Sequence, residues 1–420
     1  MNVVVFEDDR VEALHPITLA RPAYSIQCGA ARLRELLGEF ATAGRWWGLV
    51  RSHLRALQAE DDPSWHAAQR LPSSETLCVN AALVPSRGAA RLVAEWLERP
   101  GPGMLMREGR IVLARLHGEQ FERLPWPTEP AEWYAALQNL ELPVQQAEEN
   151  TVDWGLFGYP HDVIQWNMRI IGENLEARIA SGGYEQVRDG VFLAHGAALS
   201  AEVVTDTSDG PILLDEGATV GPFSLLSGPV YIGARSRILE HAAIKDAVSI
   251  GHTAKIGGEV EAAVVEPYTN KQHHGFLGHA YLGSWINLGA GTCNSDLKNT
   301  YGTVNMEYGR RKVGTGMQFL GCVMGDYAKS AINTGIFTGK VIGVCSMVYG
   351  FVTTNVPSFI NHARLFGQIA ELPPEVMIAT QRRMFARRKV EQRACDEQLI
   401  RDMYDLTRHE RALPDEPLAF

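Results

Sequence analysis

The chain has 420 residues, 45% of them hydrophobic, and a formal net charge of −10 with 13 histidines. That length exceeds one ordinary core and predicts two or three domains. The acidic balance, with no basic run to release counterions, argues against a nucleic-acid partner, and no apolar stretch reaches the length of a membrane span.

In chain order, Val3-Val4-Val5-Phe6 predicts a short first strand. Glu7-Asp8-Asp9 follow it, which is not the pattern of a secretory signal and gives the expectation of a cytoplasmic protein. Helical stretches are expected over Gly29 to Phe40 and Ala89 to Glu98, with a further apolar run from Thr76 to Val84, so residues 1 to about 190 read as an α/β domain. The cysteines, Cys28, Cys78, Cys293, Cys322, Cys345 and Cys395, are scattered without a CxxC pair. Most of them are expected to be small buried hydrophobes, and none suggests a disulfide framework or a zinc ribbon.

Leu214, Val220, Leu226, Ile232, Ile238, Ile244, Ile250 and Ile256 then recur at every sixth position, and Gly follows at 221, 233, 251 and 257. A period of six fits neither a helix nor a single strand. It predicts a β-solenoid whose flat sides each take one hexapeptide, the aliphatic residue pointing inward and small residues at the corners. Between Glu259 and Gln272 the frame is lost, which predicts an extruded loop carrying Asn270-Lys271-Gln272-His273-His274. Phe276, Leu282 and Leu288 resume the frame, and Ile336, Ile342 and Val348 extend it, so the solenoid is expected over residues 191–356. Cys293 to Arg311 is polar and forms a second candidate loop. From 357 to 420 the pattern is helical, Pro373-Pro374 marking a helix start ahead of Glu375 to Arg408. Arg382, Arg383, Arg387 and Arg388 are expected on a solvated face of that tail or, as the second reading, against an acidic neighbour.

His273-His274-Gly275-Phe276-Leu277-Gly278, Leu282-Gly283 and Asn287-Leu288-Gly289-Ala290-Gly291-Thr292-Cys293-Asn294 are more specific than the repeat itself. They resemble the acetyltransferase half of the bifunctional bacterial enzymes that make UDP-N-acetylglucosamine. Asn270 to Gly278, Leu288 to Thr292 and Ser295 to Gly302 are similar to strings of a divergent sugar nucleotidyltransferase branch with the same left-handed parallel β-helix. The resemblance implies a trimer with acetyl-CoA as co-substrate and an amino-sugar 1-phosphate as acceptor. His273 falls at the family's catalytic base, where a neutral imidazole takes the amine proton during attack on the thioester. Asn294 falls in the acceptor site, and Lys271, one residue off the simplest alignment, stands where it could meet the sugar phosphate.

The amino terminus carries a second resemblance. Phe6 to Arg10, followed by His15-Pro16-Ile17-Thr18-Leu19-Ala20-Arg21-Pro22, is similar to the opening of sugar-1-phosphate nucleotidyltransferases and implies UTP or dTTP and a sugar 1-phosphate as substrates, with Arg21 in substrate binding. The chain departs from that pattern where Glu7, Asp8 and Asp9 replace phosphate-cradling glycines and Ala23 replaces a lysine. Three carboxylates there either form a solvated acidic turn or need Mg²⁺ to bridge them to a triphosphate. The same resemblance assigns Asn80, in place of an aspartate, and Asn167 to a Mg²⁺ site. Two other readings stand beside these: a trimeric binding or scaffold protein without either chemistry, and a zinc-dependent solenoid like a carbonic anhydrase, using His241, His274 and His279.

Overall fold

The computed structural model describes residues 1–40, 45–65, 74–126, 129–148, 152–309, 311–363 and 367–411. By contact the chain divides into two units: Met1–Leu14, Ala20–Ile26 and Ala31–Gly158 form the first, and His15–Leu19, Gln27–Ala30 and Tyr159–Phe420 form the second.

The first unit is a six-stranded mixed sheet of β1 (Asn2–Phe6), β2 (Trp46–Leu49), β3 (Thr76–Asn80), β4 (Gly103–Arg107), β5 (Arg110–Leu116) and β6 (Val144–Gln146), in the order β2-β1-β3-β5-β4-β6. β1 is parallel to both its neighbours, whereas β5 runs antiparallel to β3 and β4. β1 and β3, parallel to each other and buried along their whole length, read as near-continuous apolar runs, while β5 is buried as well but carries Arg110 and Arg115. Helices α1 (Leu33–Gly38), α2 (Arg55–Asp61), α3 (Arg87–Glu98), α4 (Gly118–Glu122) and α5 (Pro130–Gln138) complete the unit. The Ser86 hydroxyl caps α3 by accepting from the Ala89 N–H at 3.0 Å.

The second unit is the expected left-handed parallel β-helix with a helical C-terminal region. Ile232, Ile238, Ile244, Ile250 and Ile256 all point inward and are buried. Register pairs run from rung to rung, Leu226 to Ile244 to Val260 on one side and Ile238 to Ile256 on another. Corner residues such as Arg235, Thr253, Tyr268, Trp285 and Tyr327 adopt positive φ. The small residue at Gly233 is required by packing, because a Cβ there would lie 2.7 Å from Ile250 O on the next rung.

The loop expected between Glu259 and Gln272 does not form. Strands Glu259–Glu261, Val264–Val265 and Asn270–Lys271 continue the three sides, with Val265 beside Ile250 and Lys271 beside Ile256. The frame is lost because one rung is shorter than its neighbours, which shifts the hexapeptide phase without breaking the coil. The second expected loop is real: the chain leaves the coil after Asn294 and resumes at Cys322–Met324. Within this excursion Asn305–Tyr308 and Arg311–Gly314 pair as an antiparallel hairpin.

α6 (Pro160–Ala180) lies on the outer face of one side, where Ile171 and Leu175 cluster with Ala30, Leu213, Tyr231 and Ala247. α7 (Pro374–Arg387) begins at the anticipated proline pair and packs against α8 (Ala394–Leu406).

Candidate functional site

In the first unit the acidic turn faces inward. Glu7 and Asp8 are each 1% exposed, and only Asp9 is exposed to solvent. Glu7 accepts from Arg51 Nε at 2.9 Å and from the Ala23 N–H at 3.0 Å. Asp8 Oδ2 accepts from Arg110 Nε at 2.7 Å and Asn80 Nδ2 at 2.9 Å. Two of the three carboxylates are therefore structural ion pairs, and neither the solvated turn nor the triphosphate-facing turn describes them. Arg21 is half-buried beside this group, its carbonyl accepting from Arg51 Nη2 at 3.3 Å.

Asn80 is fully buried. Its Nδ2 also donates to Ile111 O at 2.8 Å, and its Oδ1 accepts from the Ala82 N–H at 2.9 Å. In the second unit the Asn167 Oδ1 accepts from the Gly29 N–H at 2.9 Å while Nδ2 donates to Ala247 O at 2.6 Å, which fastens α6 to the solenoid. Each amide oxygen expected at magnesium thus already serves a backbone N–H in a buried setting. Among the described residues no group of three or more His, Cys, Asp or Glu stands ready for a metal. These residues do not fit a magnesium site, and among the described residues His241, His274 and His279 form no group that could hold zinc, His241 being stacked on Phe223 at 5.4 Å.

The solenoid residues are brought together differently. Lys271 is the register partner of Ile256, so its side chain takes an inward slot and is 2% exposed. Its Nζ donates to Gly257 O at 2.7 Å and His273 O at 3.1 Å. Burial pushes this ammonium down to about 8. The side chain expected to meet a sugar phosphate instead braces the turn that presents His273, because strand parity at 271 points into the coil. His273 and His274 are exposed on that turn, with His273 Nε2 3.1 Å from Gln272 Nε2. Gly275 holds φ at 129°, and a Cβ there would come within 2.1 Å of Thr292 O, so the turn can pass only with glycine.

Asn294 also takes an inward slot, in register with Ile336, and is 4% exposed. Its amide accepts from the Gly278 N–H and donates to Gly278 O, both at 2.9 Å. Asn294 therefore clamps Gly278 rather than opening to an acceptor. The next residue joins a group absent from the predicted site. His279 Nδ1 donates to Asp296 Oδ2 at 2.9 Å, with Phe319 stacked on the imidazole at 5.5 Å. A Cβ on Gly278 would approach the Asp296 carboxylate to 2.5 Å. The carboxylate fixes the tautomer and leaves Nε2 as the acceptor, without a hydrogen-bond partner among the described residues. Asp296 sits inside the Ser295 to Gly302 string, yet only the rung-to-rung placement sets it against His279.

The hairpin of the excursion is fastened to the start of α6. The His161 Nδ1 and the Tyr308 hydroxyl lie 2.8 Å apart, and Tyr159, His161 and Tyr308 stack within 6 Å of one another. Burial pushes the His161 imidazole below its ordinary value against the opposing Asp162 charge, and raises the Tyr308 phenol.

Residues 3–181 match the family described as sugar nucleotidyl transferase. The chain is 33% identical over 118 residues to the bifunctional protein GlmU of Cupriavidus pinatubonensis, an alignment that spans 27% of this chain and 25% of that relative. A longer alignment to the GlmU of Ralstonia nicotianae is 23% identical over 361 residues, spanning 70% of this chain and 79% of the relative. Among solved structures, the UDP-N-acetylglucosamine acyltransferase of Francisella novicida shares 16% identity, with 54% of this chain and 82% of that chain covered at a TM-score of 0.25. The acetyltransferase domain of PglB from Neisseria gonorrhoeae, in complex with acetyl coenzyme A, shares 13% identity at a TM-score of 0.16, covering 52% and 83%. Residues 3–181 are thus similar to sugar nucleotidyl transferases, and the chain spans about a quarter of the length of the GlmU relatives it matches at 33% identity. Among the described residues no helix is long and apolar enough to cross a membrane.

Proposed function

We propose that the solenoid transfers an acetyl group from acetyl-CoA to the amine of an amino-sugar 1-phosphate, with His273 as general base, in a homotrimer. The observation that carries this reading is the turn at 272–274: an exposed imidazole on a backbone held from beneath by the buried Lys271. In the reaction the amine nitrogen attacks the thioester carbonyl, its proton passes to the imidazole, and the C–S bond breaks as the CoA thiolate leaves and is protonated. The family match over residues 3–181 supports a second activity, nucleotidyl transfer from UTP or dTTP to a sugar 1-phosphate, with Arg21 among the substrate-binding groups. The amides of Asn80 and Asn167 are already occupied by protein partners and offer that activity no magnesium ligands.

A second reading of the base rests on the Asp296-held imidazole of His279, which has the orientation a general base needs. Both readings meet one experiment. The purified protein is incubated with acetyl-CoA, glucosamine 1-phosphate and UTP or dTTP, and products are read by mass spectrometry. Removing a positioned base lowers turnover by roughly 10²–10⁴, so His273→Ala should show that loss with an unchanged melting temperature. Wild-type turnover in His273→Ala with that loss in His279→Ala would move the base to His279. Failure of the wild type to acetylate any amino-sugar phosphate would leave the binding or scaffold reading.

A further inference from the structure

One outer file of the solenoid lacks negative charge. Thr219, Arg237, Lys255, Asn270, Asn287 and Lys329 follow one another in cross-rung register along it. On another side the cation Lys245 is met by Glu259 at 2.9 Å and Glu261 at 3.2 Å. In this file no carboxylate answers Arg237 or Lys255, whose strands are direct neighbours about 4.8 Å apart.

α7 adds two more cations. Phe385 stacks on Trp285 at 4.3 Å, Trp285 on Tyr268 at 4.2 Å, and Tyr268 meets His252 edge-on at 5.1 Å. This column of rings pins the end of α7, where Arg387 and Arg388 stand, against the corner that leads into Lys255. Burial and then the charges of Arg388, Arg237 and Arg387 push the Lys255 ammonium down, and Arg388 is itself pushed down by burial and by Arg387. Among the described residues none of these four side chains makes an ion pair or a hydrogen bond. Arg382, Arg383 and Arg387 are exposed as expected, Arg382 meeting Glu397 at 2.9 Å, while Arg387 and Arg388 stand beside like charge.

Four mutually repelling cations in a chain of net charge −10 are arranged for an anion. We propose that Arg237, Lys255, Arg387 and Arg388 bind a small molecule carrying two or more phosphate groups. A single carboxylate would leave most of the cluster unanswered. A diphosphate presents oxygens on two centres, matching two cations from the rungs and two from the helix end, and guanidinium forks suit such oxygens. A long polyanion is disfavoured because the rest of the chain is acidic.

The test is calorimetric titration of the full-length protein with pyrophosphate, ATP, orthophosphate and adenosine. Pyrophosphate and ATP should bind, orthophosphate roughly tenfold or more weaker and adenosine not at all, with affinity falling steeply as salt rises. Equal affinity for pyrophosphate and ATP assigns a bare diphosphate moiety, and tighter ATP binding assigns a nucleotide. The double variants Lys255→Glu/Arg387→Glu and Arg387→Ala/Arg388→Ala change exposed or half-exposed groups, so their melting temperatures should hold while binding falls. No binding of pyrophosphate or ATP at about 1 mM, where a Kd of that order would give half-occupancy, overturns the proposal. Undiminished binding in both variants overturns it as well, by assigning the anion to another part of the chain.

Discussion

Buried polar groups are handled in opposite ways at the end of β1 and at the inward slots of the solenoid. In the first, Glu7 and Asp8 are matched by the opposite charges of Arg51 and Arg110, so the buried carboxylates end in closed pairs. In the solenoid, Lys271 and Asn294 find no opposite charge and are satisfied by main-chain carbonyls and amides. The two arrangements direct polar chemistry differently. A closed ion pair fixes a side chain and offers nothing outward, whereas a polar group bonded to a turn fixes the turn and leaves the turn's own side chains facing solvent. At the turn braced by Lys271 this leaves His273 facing solvent.

The comparison breaks most severely if the apolar interior that forces Lys271 and Asn294 onto the backbone is itself not closed. Ile244 lies between Leu226 and Val260 on the inward file and is fully buried. Ile244→Asp should cost more than about 4 kcal/mol, enough to unfold or aggregate the protein. A soluble variant with the wild-type urea midpoint would show the register to be wrong.

Arg110→Ala tests the first half of the comparison with a somewhat smaller effect. It would strand Asp8 as a buried charge answered only by the Asn80 amide and the Arg10 N–H, a situation that costs about 3–5 kcal/mol. Adding Asp8→Asn should recover much of the loss, because the stranded charge disappears. A single-variant loss under about 1 kcal/mol would mean that water reaches Asp8 and that the pair is not closed.

How far the sequence exposes this architecture depends on which side of the strand a polar residue takes. From Leu214 to Ile256 the inward slots are aliphatic without exception, and the period of six is visible. Beyond that point Lys271, Asn294, Ser330 and His362 occupy inward slots in register with Ile256, Ile336, Val348 and Val348 respectively. Polar letters at those places hide the coil, and the shortened rung at 259–271 removes the phase that would have recovered it. The glycine-rich strings single out the 270–294 region. They did not reveal that Lys271 and Asn294 serve the backbone, since the bonds that occupy them come from Gly257 and Gly278, not from a pattern of side chains. The partners of Glu7 and Asp8 were equally hidden: Arg51 and Arg110 lie in remote parts of the chain and meet them only through the order β2-β1-β3-β5.

The smallest effect sharpens the second half of the comparison through pH. Lys271 titrates at about 8 in the folded chain, against about 10.4 for an unfolded lysine. Between those values the unfolded chain binds the extra proton, so stability assigned to this residue rises as pH rises through the window and is least below 8. Lys329, also pushed down to about 8 by burial, contributes with the same sign, so the wild type alone would not isolate Lys271. The measurement is therefore the difference in unfolding free energy between wild type and Lys271→Met at pH 7.5 and pH 10. The wild type should gain on the variant by up to about 3 kcal/mol over that interval, Lys329 being common to both. The neutral amine keeps two hydrogens for Gly257 O and His273 O, so the brace survives while the charge penalty is lifted. A difference that stays constant across the interval would mean that the two carbonyls outweigh burial and keep Lys271 charged, making the solenoid interior more accommodating to ions than its backbone-only pairing implies.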